Sequence, residues 1–263
     1  MRRHFITGVN ALAVFAVLVG LWQALVWISG IPAYVLPGPL EVVKAIGDRH
    51  AALLASLLIS TTSAAGGLAL SIVAGVGIAL VFAQWPWLRR MLYPYTILLQ
   101  TVPIIAITPL IILWMGSGTW PVTLVTFIIC LAPIIANTTQ GLISVDGNLI
   151  DLFLMHKASR AQVLFKLRLP HAMPNMFAGV RISAGIAVIG AITGEWFAGS
   201  NRVGQGGLGY SIMYASSQLQ TAYLFGLVIA ATVLGFSFFF LVMFVEWYFL
   251  RNWHESKRTT ESE

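Results

Sequence analysis

Lysines in a glycine-rich loop could hold a nucleotide phosphate, and histidines or cysteines at ligand spacing a metal, but this chain has neither pattern. Lys44, Lys157, Lys166 and Lys257 each follow a residue other than glycine, so none completes the G-x-x-x-x-G-K-S/T loop whose backbone amides wrap a nucleotide phosphate. His4, His50, His156, His171 and His254 show no H-E-x-x-H or comparable ligand spacing. Cys130 lies in an apolar run and has no second cysteine to pair with. The expectation is a chain with no catalytic residues, no metal and no cofactor of its own. A net charge of +6 without a basic stripe interleaved with aromatics argues against nucleic acid as a partner.

The remaining chemistry sits inside apolar runs, where an ionisable group is costly and counts as a functional candidate. Glu195 is the foremost. It continues Gly179, Ser183, Ala187 and Ala191 at four-residue spacing, a small-residue ridge along which another helix can approach closely. A carboxylate there can line a pathway, pin a helix interface, form part of an outer gate or make a structural hydrogen bond; the sequence leaves these open. Gln100, Thr101, Pro103, Thr108 and Pro109 form a second group. Two prolines remove backbone donors from one membrane helix, so it should bend there, and the freed carbonyls favour a place beside a cavity. Asn137, with Thr138 and Gln140, is a further candidate for the pathway or for ordinary interhelical bonding. Ser63, Gly67, Ser71, Gly75 and Ala79 repeat the small-residue ridge and read as helix packing.

These residues must be carried by membrane helices. The chain of 263 residues is 58% hydrophobic and 9% charged, with a mean hydropathy of +0.86, a composition whose solvent is lipid. Apolar stretches long enough to cross about 30 Å of hydrocarbon run near 5–30, 53–83, 90–115, 119–143, 176–199 and 223–250, which predicts an all-α polytopic membrane protein of six spans in a single domain, residues 1–263. The MRRHF start continues into bulky aromatics without a small-residue cleavage pattern, so it reads as a retained helix. With both termini in the cytoplasm, eleven basic residues lie inside (Arg2, Arg3, Arg89, Arg90, Lys157, Arg160, Lys166, Arg168, Arg251, Lys257, Arg258) and three outside (Lys44, Arg49, Arg202). Arg181 falls within the fifth span. The outward segments 31–52 and 199–222 carry the turn-forming Pro37-Gly38-Pro39 and a cluster of four glycines from Gly204 to Gly209. Most tryptophans fall near predicted helix ends, as an interfacial belt should.

The inside loop, 144–175, mixes helical apolar spacing with charge. Val163, Leu164 and Leu167 share a face, and Leu169-Pro170 is expected to stop the helix. Periodicity alone leaves two readings open, docking on a partner and lying on lipid headgroups. The stretch Asp151–Pro170 resembles the EAA loop of binding-protein-dependent ABC importer permeases, whose pattern is an E-A-A triplet, a glycine and a terminal I-x-L-P. Asp151 stands at the Glu position, Leu152 and Phe153 depart from the two alanines, Lys157 replaces the glycine, and Leu169-Pro170 closes the motif. QTVPIIAITPLIILW, IGAITGEWFAG, GGLGYSIMYASSQLQT and VLPGPLEVV extend the resemblance to the nitrate/sulfonate/taurine branch, with the fifth helix most similar to permeases for thiamine-type pyrimidine precursors.

The resemblance implies a type I ABC importer permease-like fold in a bacterial inner membrane. It implies two cytoplasmic ABC ATPases that bind ATP and Mg, a second permease copy or a related permease, and an extracytoplasmic substrate-binding protein. It places ATPase coupling on Asp151, Lys157, Ala158, Ser159, Arg160, Gln162, Leu164, Leu169 and Pro170. The cargo is a small polar solute: a sulfonate, taurine, nitrate or a pyrimidine-type compound. The rival reading is a secondary transporter, for which coupling-ion carboxylates at the membrane midplane would be needed.

Overall fold

In the computed structural model, which describes residues 2–199 and 206–251, the chain is helical with no strand among the described residues. The helices are α1 (Arg2–Ser29), α2 (Pro39–Asp48), α3 (His50–Gln84), α4 (Pro86–Thr101), α5 (Ile104–Met115), α6 (Thr119–Ile143), α7 (Gly147–Met155), α8 (Arg160–Val163), α9 (Leu169–Ala198), α10 (Leu208–Ser217) and α11 (Thr221–Leu250). A π-helical segment, Leu164–Arg168, joins α8 to α9. Arg202, Gly204, His254, Lys257 and Arg258 lie outside the described residues.

By length and composition, α3, α6, the continuous Arg160–Ala198 rod and α11 can each cross a membrane, and α4 with α5 makes a fifth crossing if the bent pair counts as one. The apolar part of α1 found by the same measure, Ala16–Ser29, is shorter. Four or five spans therefore stand among the described residues against the six expected.

α6 forms the centre, with α3 along one side and α9 along the other. The small-residue ridge of α3 is what permits this. Ser63, Gly67, Ser71, Gly75 and Ala79 are all buried. A methyl group on Gly67 would lie 2.5 Å from the Thr126 side chain and 2.9 Å from the Thr123 carbonyl, so only glycine allows the backbones this close. Ser71 Oγ donates to the Phe127 carbonyl at 2.8 Å. On the other side of α6, Ser183 Oγ donates to the Cys130 carbonyl at 2.9 Å and Cys130 Sγ to the Ser183 carbonyl at 3.4 Å, so the lone cysteine is a packing residue. Apolar side chains left outside this core, such as Leu21 and Leu25 on α1 and Phe240 and Phe244 on α11, are exposed, as a lipid-facing surface requires. Trp27, Trp87, Trp114 and Trp120 are exposed near helix ends.

Two local expectations change. The third apolar stretch is not one bent helix: α4 and α5 meet at 96°. Pro103 has no N–H to offer the Leu99 carbonyl, and Val102 before it takes the extended backbone that a following proline favours (φ −66°, ψ 122°), so two consecutive residues leave the helix. Pro109 lies within α5 and breaks nothing. In the inside loop, Leu169-Pro170 does not stop the helix. The wider π turn just before it lets the chain pass Pro170 near the start of α9 and run on to Ala198. The fifth span thus begins well before residue 176.

Candidate functional site

The loop region is a helical hairpin built by local signals. Asp146 caps α7 by accepting from the Asn148 amide at 2.9 Å. The turn after α7 needs a left-handed residue, and Lys157 supplies it at φ +56°, the position at which the family motif carries glycine. The departure in residue type therefore leaves the turn intact. Ser159 then opens α8 with a reciprocal capping box: the Gln162 amide donates to Ser159 Oγ at 3.2 Å and the Ser159 amide to Gln162 Oε1 at 2.7 Å. Asp151, Lys157, Ser159, Arg160 and Gln162 are exposed, and Ala158, Leu169 and Pro170 are partly covered.

Leu164 departs from its expected role. It is buried with Ala79, Ala83, Leu142 and Ala172, because Arg160–Ala198 lies against the ends of α3 and α6 and turns the Val163–Leu164 edge inward. The apolar surface left open is instead Leu152, Leu154, Met155 and Phe165, with Met155 81% exposed. A cleft of 360 Å³ lies among Leu152, Phe153, His156, Ala158, Gln162 and Lys166. A second, of 300 Å³, runs between the hairpin and the α3–α4 junction past Gln84, Leu154, Arg160 and Arg168. Arg168 Nη1 donates to the Ala83 carbonyl at 2.9 Å, tying the base of the hairpin to α3.

The residues singled out in the membrane separate into two sets. Gln100 and Asn137 come together in a cavity of 560 Å³ at the α4–α5 break, lined otherwise by apolar residues of α4, α5, α6 and α9, including Ile182, Ile186 and Ile189. Asn137 Nδ2 donates to the Pro133 carbonyl at 2.8 Å, which orients the amide and leaves Oδ1 free of that bond. Thr101 and Thr108 do not join them. Their hydroxyls bond back to the Leu98 carbonyl at 2.9 Å and the Ile104 carbonyl at 2.6 Å, and Thr108 is fully buried.

Glu195 is buried at the far end of α9, 3% exposed, and its carboxylate accepts from Ser60 Oγ at 2.8 Å to both oxygens and from the Gly209 amide at 2.8 Å. Ser60 Oγ in turn accepts from the Leu208 amide at 2.8 Å, and Ser56 and Ser211 share a hydroxyl contact of 2.8 Å. The carboxylate thus joins α3, α9 and the first turn of α10. Two glycines make room: a methyl at Gly207 would sit 2.1 Å from the Glu195 carboxyl group, and one at Gly209 2.3 Å from the Ile192 carbonyl.

Arg181, also within α9, pairs with Glu246 of α11. The sequence reading missed Glu246 and Ser60. Ser56 and Ser60 are four residues apart and Ser60 is three before Ser63, so helical spacing is the one signal that ties them to the ridge; Glu246 offers none beyond being an acid in an apolar run.

Comparison with known proteins gives these sites a context. Residues 67–253 match the family of binding-protein-dependent transport system inner membrane components. A formylaminopyrimidine transport permease of Halalkalibacterium halodurans is 33% identical over 84% of this chain and 86% of its own length. A riboflavin transport system permease of Chloroflexus aurantiacus is 37% identical over 73% of this chain and 71% of its own. A putative aliphatic sulfonates transport permease of Bacillus subtilis is 33% identical over 84% and 79%. The chain belongs to the family of binding-protein-dependent transport system inner membrane components, the multi-pass permease subunits of ABC importers.

Proposed function

We propose that this family member forms the translocation pathway for a small polar solute and that two cytoplasmic ATPases drive it through the Gly147–Arg168 hairpin. The observation that carries the coupling reading is the hairpin itself. It is shaped by a cap, a left-handed turn and a capping box, anchored by Arg168, and it presents Leu152, Leu154, Met155 and Phe165 beside a cleft. Such a surface gains most by burial against a protein groove. Asp151, Lys157, Ser159, Arg160 and Gln162 contribute the polar contacts, with Ala158 packed at the turn between them, ATP and Mg remain on the ATPases, and both termini face the cytoplasm. Leu169 and Pro170 hold the hairpin base.

Cargo arrives from an extracytoplasmic binding protein, and a second copy of the chain completes the pathway; the relatives' names favour a heterocycle or a sulfonate as that cargo. Gln100, Asn137 and the Pro103 break form the pathway wall, with Pro109 and the internally bonded Thr101 and Thr108 in its framework. Glu195 serves the outer gate by holding α10.

Copurification tests the coupling reading. Arg160→Glu and Met155→Glu should each abolish ATPase association while the permease still elutes as a single species. Retention of the ATPase by both variants sinks the assignment. Uptake by the chain in vesicles under an ion gradient, with no ATPase present, would establish the secondary transporter instead.

A further inference from the structure

The 560 Å³ cavity at the α4–α5 break lies within the range of about 300–1,000 Å³ typical of small-molecule sites. Its lining contains no charged residue. Both charges that α9 carries inside its span are engaged elsewhere, Arg181 by Glu246 and Glu195 by Ser60 and Gly209. Helix dipoles do not replace them. The C-terminal end of α4 and the N-terminal end of α5 meet at the break, two residues apart, so their opposite partial charges offset one another.

An anion entering this space would lose hydration and gain no cationic partner from this chain's lining, a large penalty. The cavity does display hydrogen-bonding groups of both kinds. Gln100 offers an amide donor and acceptor, and Asn137 an acceptor oriented by the bond of its Nδ2 to the Pro133 carbonyl. Ile104, Ile129, Ile182, Ile186 and Ile189 supply apolar walls.

We propose that this cavity is a cargo subsite and that it takes an uncharged heterocycle presenting adjacent donor and acceptor groups, such as an aminopyrimidine, in preference to a sulfonate or nitrate. This rests on the reading of the chain as a pathway-forming permease. The aromatic ring lies against the isoleucine walls while its edge bonds to the Gln100 and Asn137 amides.

The test is equilibrium binding of labelled 4-aminopyrimidine, ethanesulfonate and nitrate to the purified permease–ATPase complex in lipid nanodiscs, with no binding protein present to impose its own selection. The aminopyrimidine should bind, the two anions at least about 10-fold more weakly, and Gln100→Leu with Asn137→Leu should weaken aminopyrimidine binding at least about 10-fold. Gln100→Asn, which keeps the amide, should fall between. Equal or tighter binding of either anion, binding of none of the three, or aminopyrimidine binding indifferent to the double substitution would overturn the proposal. If the substituted chain fails to assemble, the wild-type preference among the three probes decides alone. Failure of the ATPase to copurify with the wild type overturns the permease reading on which this rests, whereas an assembled complex that prefers ethanesulfonate overturns only the cargo assignment.

Discussion

The two ends of the Arg160–Ala198 rod are built on opposite plans. At the Glu195 end, a buried carboxylate, a serine hydroxyl and two backbone amides satisfy one another, and glycines bring the backbones into direct contact. At the hairpin end, local caps fix the shape while apolar side chains stay open to the surroundings. A closed polar network holds its own chain together; an open apolar surface on a well-formed hairpin is fitted to hold another. Substitutions at the first end should therefore act on stability, and those at the second on association.

The largest effect on stability is expected at the closed end. Gly209→Ala places a methyl group against the Ile192 carbonyl, which cannot swing aside, and should cost at least about 3 kcal/mol. Glu195→Ala should cost about 3 kcal/mol by leaving the Gly209 amide and the Ser60 hydroxyl buried without their acceptor, and Glu195→Gln clearly less. Thermal unfolding in detergent measures both; a Glu195→Ala protein as stable as wild type would remove the distinction between the ends.

Arg181 and Glu246 provide a graded intermediate. Glu246→Leu strands the Arg181 guanidinium, and because that side chain is 36% exposed the cost should be about 1–2 kcal/mol. Adding Arg181→Met should recover most of it. A double variant no more stable than Glu246→Leu alone would show that the pair acts through packing.

Lys157→Gly should stabilise by about 1 kcal/mol, since it relieves a left-handed backbone at a residue with a Cβ. The smallest stability change, within about 0.5 kcal/mol, is expected for Met155→Glu, which is 81% exposed, even though ATPase capture should be lost. A marked drop in its unfolding temperature would mean that the open surface is structural after all.

Part of this was legible in the residues. The α3 ridge packs as its four-residue spacing implies, because small side chains on one helical face let another helix approach closely. Pro103 stands at a helix break, yet Pro109, chemically identical, lies inside α5, so residue type alone does not say which proline ends a helix. Pro170 shows the same limit, since a π turn upstream absorbs what would ordinarily end a helix. Periodicity places Leu164 on an apolar face without saying which neighbour covers it, and α3 and α6 cover this one.

The sequence by itself determined the solvent, the helical class and the lack of a nucleotide loop, because hydropathy, composition and short-range spacing are local properties. The tertiary structure decided the partners of isolated polar groups. It set Glu195 against Ser60 and Gly209, Arg181 against Glu246, and Gln100 beside Asn137, pairings between residues far apart in the chain whose geometry exists only once the helices have packed.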